Sequence, residues 1–264
     1  MFYLAPHPKL DRPRRGSPRM FTIDWVEKYF SRVRPWHVVA LWVPFTLWMT
    51  FKGFAHAGES IGGYALFLPL GVLGWTLLEY GLHRYIFHFK PAESSDFQKD
   101  LSFLIHGIHH DYPWDGDRLV MPPTVSALIA GLLWFPCKAL MGAHVYAFFA
   151  GLVGGYVWYD LMHYYVHHGV PKSPLGKWMR KYHLVHHFAT PSVRYGITSP
   201  LWDVVFGTYP KDSHQERADE MEAKASLFLL ETPCTSATQS TAPSRSRRRS
   251  GRWSIVRNTS ASAM

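Results

Sequence analysis

Four long apolar stretches divide the chain, at residues 36–52, 62–82, 123–141 and 143–162. Each is about as long as a helix needs to cross a bilayer core of roughly 30 Å. The pattern therefore predicts four membrane-spanning helices. The connection from Gly53 to Ile61 is short, and so is the one near Met141 to Ala143, so the spans pair into two helical hairpins. Both hairpins then return to the same side, and the polar sequence that follows each one gathers there as a cap. The expected fold class is all-α: an integral membrane protein with about four transmembrane helices and a helical cap.

Charge orients this arrangement. Ahead of Pro35 stand eight basic residues (Lys9, Arg12, Arg14, Arg15, Arg19, Lys28, Arg32, Arg34) against three acidic ones (Asp11, Asp24, Glu27). Short flanking segments rich in Lys and Arg stay on the cytosolic side, so the cap is expected to face the cytosol. The membrane would be endoplasmic reticulum in a eukaryote and the inner membrane in a bacterium. The net charge of +9 sits at the two ends, leaving a nearly neutral centre. Such a distribution does not fit a nucleic-acid partner, and basic ends suit anionic lipid headgroups. Three regions follow: residues 1–35, a basic cytosolic segment; 36–210, the membrane domain; and 211–264, a polar tail expected to be disordered. With only Cys137 and Cys234, no disulfide framework is expected, and the proline-broken N-terminus does not read as a cleavable signal peptide.

The cap sequence holds unusual chemistry. Ten of the 16 histidines form four tight groups: His83 and His88; His106, His109 and His110; His163 and His167; His183, His186 and His187. Spacings of three and four place imidazoles on one helical face, so each His-x-x-His-His triplet is expected to aim three rings the same way. His83 and His88, five apart, fit no α-helical face. Single histidines are more often packed or solvated than ligands, and His7, His37, His56, His144 and His214 read that way; His168 is ambiguous. Ten imidazoles exceed what one zinc site uses. Shared between two ions they supply about five each, leaving an octahedral metal one open position. Ligand type alone does not choose among iron, copper, nickel and zinc, but the dinuclear count and the membrane setting favour two iron ions, with zinc as a substitute in purified protein.

The segments HRYIFH, FLIHGIHHDYPWDGDRLVMPP, GYVWYDLMHYYVHHG, KYHLVHHF and YGITSPLWDVVFGT together resemble the fatty acid 2-hydroxylase family of the membrane fatty acid hydroxylase and sterol desaturase superfamily, over about residues 21–210. The resemblance implies di-iron bound by the ten clustered histidines. It also implies dioxygen-dependent hydroxylation at carbon 2 of a long-chain fatty acid, free or within ceramide. Many eukaryotic members carry a cytochrome b5 domain, and no HPGG haem motif precedes the first span here. The expected electron donor is thus a separate protein such as a cytochrome b5 or a ferredoxin. Within the same fold a desaturase or a sterol or carotenoid hydroxylase is the nearest alternative, and a non-enzymatic membrane metal-binding protein or a zinc hydrolase stands further off.

Helical phase also nominates supporting groups. Tyr156, Asp160, His163 and His167 form one stripe, and Glu79 precedes His83 by four residues. Asp160 and Glu79 are therefore expected within hydrogen-bond reach of the metal site, with Tyr156 on the substrate path. An acyl chain dissolved in the bilayer is expected to enter laterally, along a groove lined by residues such as Trp75 and Tyr164.

Overall fold

The computed structural model describes residues 14–210 and the helix Ser213–Glu231, and its elements are helices. Four of them are the expected spans: α1 (Pro35–His56), α2 (Ile61–Gly81), α4 (Pro123–Met141) and α5 (Val145–His168). Between the pairs lies α3 (Asp96–Ser102), and after them come α6 (Pro174–Phe188), α7 (Leu201–Val205) and α8 (Ser213–Glu231). Local signals start several of these. Proline opens α1, α4 and α6, where its missing N–H costs nothing. Ser60 and Ser173 cap α2 and α6 by accepting from the amides of Gly63 and Gly176.

The apolar run from Pro123 to His168 is 46 residues long, far more than one span needs. Gly142, at φ 58°, turns the chain where a side chain would be strained. Trp134 then packs on Tyr146 and Phe149, so α4 and α5 run antiparallel. The two hairpin turns meet: Glu59, beside the first, accepts from His144 Nδ1 of the second at 2.6 Å. All four histidine groups consequently lie at the opposite end.

The central helix is α5, which packs against α1 and α2 and is buried along most of its length. Its approach to α2 is set by glycines. A Cβ at Gly151 would stand 2.0 Å from the Leu68 carbonyl oxygen, and one at Gly71 would stand 1.9 Å from that of Phe148. Small residues at a helix interface let backbones touch, which is how helices associate where lipid removes any hydrophobic drive. The outward faces of α1, α2 and α4 carry exposed Leu47, Phe51, Leu66, Leu132 and Phe135. Water would penalise such a surface, and lipid does not. The protein is an integral membrane protein.

In the cap the basic N-terminal segment is engaged in ion pairs: Arg19 pairs with Asp24, Arg32 with Glu27 and Asp117, and Arg34 with Asp117. The polar tail from residue 211 is not structureless over Ser213–Glu231, which is helix. Its Ala223 packs on Leu184, Val185 and Phe188 of α6, while Asp219 and Glu220 pair with Arg194 and Lys181. Among the described side chains of this helix the buried apolar face is narrow, and such a face leaves little periodic signal. Residues 1–13 and 232–264, which include His7, Lys9 and Cys234, lie outside the described residues.

Candidate metal centre

The ten histidines converge as two groups of five: His83, His88, His106, His110 and His186 in the first, and His109, His163, His167, His183 and His187 in the second. Within each group the candidate ligand nitrogens all lie within 4.8 Å of one another. The sequence expected each triplet to aim its rings one way, and the structure divides them instead. His106 and His110 join the first group while His109 joins the second; His183 and His187 join the second while His186 joins the first. The cause is helical phase. Positions i and i+4 differ by about 40°, whereas i+3 falls about 100° from i+4, so a helix lying between two sites feeds both.

The five-residue spacing of His83 and His88 also has a physical answer. Leu82–Phe87 is a π-helical turn continuing α2, and the His88 amide donates to the His83 carbonyl at 3.1 Å. An i→i+5 bond widens the turn, so residues five apart face together. A second π-turn, Phe103–Gly107, carries His106. The two groups thus mirror one another, each taking a spaced pair from a membrane helix, an i, i+4 pair from one triplet and a single histidine from the other. Where they meet, His110 stacks on His187 with ring centroids 4.2 Å apart.

The donor set fits metal. In the first group Nε2 atoms of His83 and His106, His88 and His186, and His106 and His110 are 3.1–3.2 Å apart. In the second the distances from His163 to His109 and His183, and from His183 to His167 and His187, are 2.8–3.0 Å. Nitrogens held about 2.1 Å from one ion occupy neighbouring corners of an octahedron about 3.0 Å apart. Burial holds His88 down to about 4 and pushes His106, His109, His110, His183, His186 and His187 well below the usual imidazole range. All of these rings are therefore neutral at pH 7, the state in which imidazole binds metal. Two histidine clusters consistent with a dimetal site are the chemical core of the fold.

Orientation of the rings differs between the groups. In the first, His83 Nδ1 donates to the Tyr195 carbonyl (2.6 Å) and His186 Nδ1 to that of Val193 (2.7 Å), which leaves each Nε2 lone pair free. In the second, Nδ1 of His163, His167, His183 and His187 is buried with no protein partner. The loop supplying the two carbonyls is pinned by acids that sequence reasoning placed elsewhere or missed. Glu79, expected beside the metal site, accepts instead from the amides of Ile197 (2.6 Å) and Thr198 (2.9 Å) and from Thr198 Oγ1 (2.5 Å). Asp203, unnoticed in the sequence, accepts from the amides of Tyr195 and Gly196 and from Thr208 Oγ1. Its position in the run TSPLWDVVFGT was the only signal for it.

A cavity of about 500 Å³ reaches both groups, with His106 of the first and His109 and His163 of the second in its wall. Its remaining lining is mostly apolar, much of it contributed by the N-terminal segment, the two π-turns and the start of α4, with Ser31, Arg118, Thr124, Tyr159 and Asp160 as polar exceptions. Asp160 shares the cavity wall with His109 and His163, and its carboxylate accepts from the Met121 amide at 3.3 Å. Tyr156 does not line this cavity. It stands with Trp75 and Trp42 around a separate space of about 20 Å³, while Tyr164 stacks on His168 outside both groups. Arg118, which sequence reasoning did not single out, is buried between Glu27 (2.5 Å) and Asp115 (2.6 Å).

Comparison with known proteins agrees with this geometry. The sequence model of the fatty acid hydroxylase family matches residues 68–208. The dihydroceramide fatty acyl 2-hydroxylase FAH2 of Arabidopsis thaliana is 43% identical over 195 residues, covering 74% of this chain and 81% of the relative. The ceramide very long chain fatty acid hydroxylase SCS7 of Saccharomyces cerevisiae is 37% identical, covering 76% of this chain and 52% of the relative. A solved structure described as full-length scs7p, with only the hydroxylase domain visible, superimposes with a TM-score of 0.66 at 36% identity over 70% of each chain. With the match extending over more than half the chain and including every clustered histidine, the chain belongs to the fatty acid hydroxylase family.

Proposed function

We propose that this protein is a dioxygen-dependent 2-hydroxylase of long-chain fatty acyl groups, free or in ceramide, working with two iron ions. The carrying observation is that a single apolar cavity touches both five-histidine groups. His83, His88, His106, His110 and His186 would hold one ion, and His109, His163, His167, His183 and His187 the other. When bound, the ions would activate dioxygen toward a C–H bond, chemistry that amino-acid side chains cannot supply. The net reaction puts one atom of dioxygen into the C–H bond beside the acyl carbonyl and releases the other as water, using two electrons and two protons from outside. The electrons would come from a separate donor protein such as a cytochrome b5 or a ferredoxin.

The chain's own part is to bind, orient and exclude water. Ile86, Leu104 and Val125 both line the cavity and are exposed on the outer surface. They would form a lateral mouth through which an acyl chain enters from the bilayer, in place of the groove at Trp75 and Tyr164. Asp160 would hold the wall at Met121 and face the substrate beside His163. Tyr156 acts from behind that wall. The basic segment ahead of Pro35 supports a cytosolic metal face, in the endoplasmic reticulum of a eukaryote or the inner membrane of a bacterium.

The test is expression in cells without endogenous 2-hydroxylated lipid, followed by mass spectrometry of fatty acids and ceramides. Accumulation of 2-hydroxy acyl chains that vanishes with His106→Ala is the expected result. An alkene, or a hydroxyl at another carbon or on a sterol, would overturn the assignment.

A further inference from the structure

The loop that orients the first histidine group contains a strained residue held from outside the family-matched region. Arg194 lies between Val193 and Tyr195, whose carbonyls accept from His186 and His83. Its φ is 61°, the left-handed region, which a β-substituted residue enters only when its surroundings impose it. The surroundings are visible. Its amide donates to the Thr208 carbonyl at 3.1 Å, its Nη1 donates to Thr190 Oγ1, and its Nη2 donates to Asp219 Oδ2 at 2.8 Å. The ion pair is almost wholly shielded, with side chains 2% and 4% exposed. Asp219 belongs to α8, beyond residue 208 where the family match ends.

Burying an ion pair this deeply rarely adds stability over an apolar contact, so its value lies in what it positions. We propose that Arg194 and Asp219 are a positioning pair through which α8 fixes the two loop carbonyls, and so governs how firmly the first histidine group holds its ion. The second group uses neither carbonyl and is independent of the pair. The inference rests on the reading that each group binds one metal.

The experiment measures metal per chain and the time course of metal release to a chelator for the purified full chain. Asp219→Asn should release one of its two ions at least about tenfold faster, the scale of metal-ligand support by hydrogen-bonded partners, while the other leaves at the wild-type rate. Asp219→Glu should restore slow release, and Glu220→Gln, on the exposed pair with Lys181, should behave as wild type. Adding Asp219→Asn to His186→Ala should change nothing further, identifying the fast ion as that of the first group. Wild-type release of both ions from Asp219→Asn, or equal acceleration of both, would overturn the proposal. Fewer than two ions in the wild type would overturn the reading beneath it. If Asp219→Asn does not fold, Arg194→Gly with Asp219→Asn keeps the left-handed turn without a buried unpaired charge and meets the same criteria.

Discussion

The two histidine groups draw on the same number of ligands, five each, yet they are held in different ways. The second hangs on helices: His163 and His167 on α5, His183 and His187 on α6, and only His109 from the segment after the π-turn. Packing of rigid elements sets its geometry, and most of its Nδ1 atoms have no protein partner. The first group is assembled from the two π-turns and the residues just after them, with His186 added from α6, and is steadied by a loop whose carbonyls are fixed by Glu79, Asp203 and Arg194. His88 and His110 in it are only part-buried. A dinuclear site built this way has one half preorganised by the fold and one half adjustable through a loop.

Removing a ligand should have the largest effect. His183→Ala, whose Nε2 has three neighbours within 3.0 Å, and His186→Ala should each lower hydroxylation by at least about 100-fold. Equal activity in either variant would break the claim that both groups are needed. Next, Gly151→Ala strikes the helix packing on which the second group depends. A Cβ 2.0 Å from a backbone oxygen forces α2 and α5 apart at a cost of about 1–3 kcal/mol, visible as a lower unfolding temperature in detergent. Should the comparison hold, metal release from that variant accelerates at the second group.

Glu79→Gln aims at the other half. It keeps the shape but weakens three hydrogen bonds, at a cost of about 1–3 kcal/mol, and should loosen the first ion while the second stays. Asp160→Asn, at the wall both groups share, should slow turnover by about tenfold or more through substrate misplacement, with both ions retained; loss of metal would reassign it to ligand support. The smallest effect concerns the N-terminal cover of the cavity. Burial raises the carboxyl of Glu27, but the amides of Met20 and Phe21 and the guanidiniums of Arg118 and Arg32 outweigh it and hold the group below the usual carboxylate range. A depressed folded value means the stabilisation is complete above the ordinary carboxylate range and fades as pH falls through the lowered value. Proteolysis within residues 14–34 should quicken only in that acidic window, and a Glu27→Gln variant should be quick at neutral pH.

Much of this organisation was readable in the chain. Apolar length and short connections pointed to the hairpins, and histidine count pointed to two five-histidine clusters, because both are properties of composition and spacing. The division of each triplet between two groups was not readable, since it depends on where a helix sits between two sites, not on which face it presents. Nor was the answer to His83 and His88, because a π-turn leaves no mark in residue type. Helical phase points Glu79 along α2 toward His83, whereas long-range folding brings the amides of Ile197 and Thr198 to it. The helix α8 carries a weak periodic signal, since among its described side chains Ala223 and Asp219 are the buried ones.

Two separate five-histidine sites would hold two ions, and counting metal in the purified chain tests this. Two ions per chain in the wild type are predicted, with one remaining in His186→Ala and one in His183→Ala. A single ion in the wild type, or two retained in both variants, would contradict it.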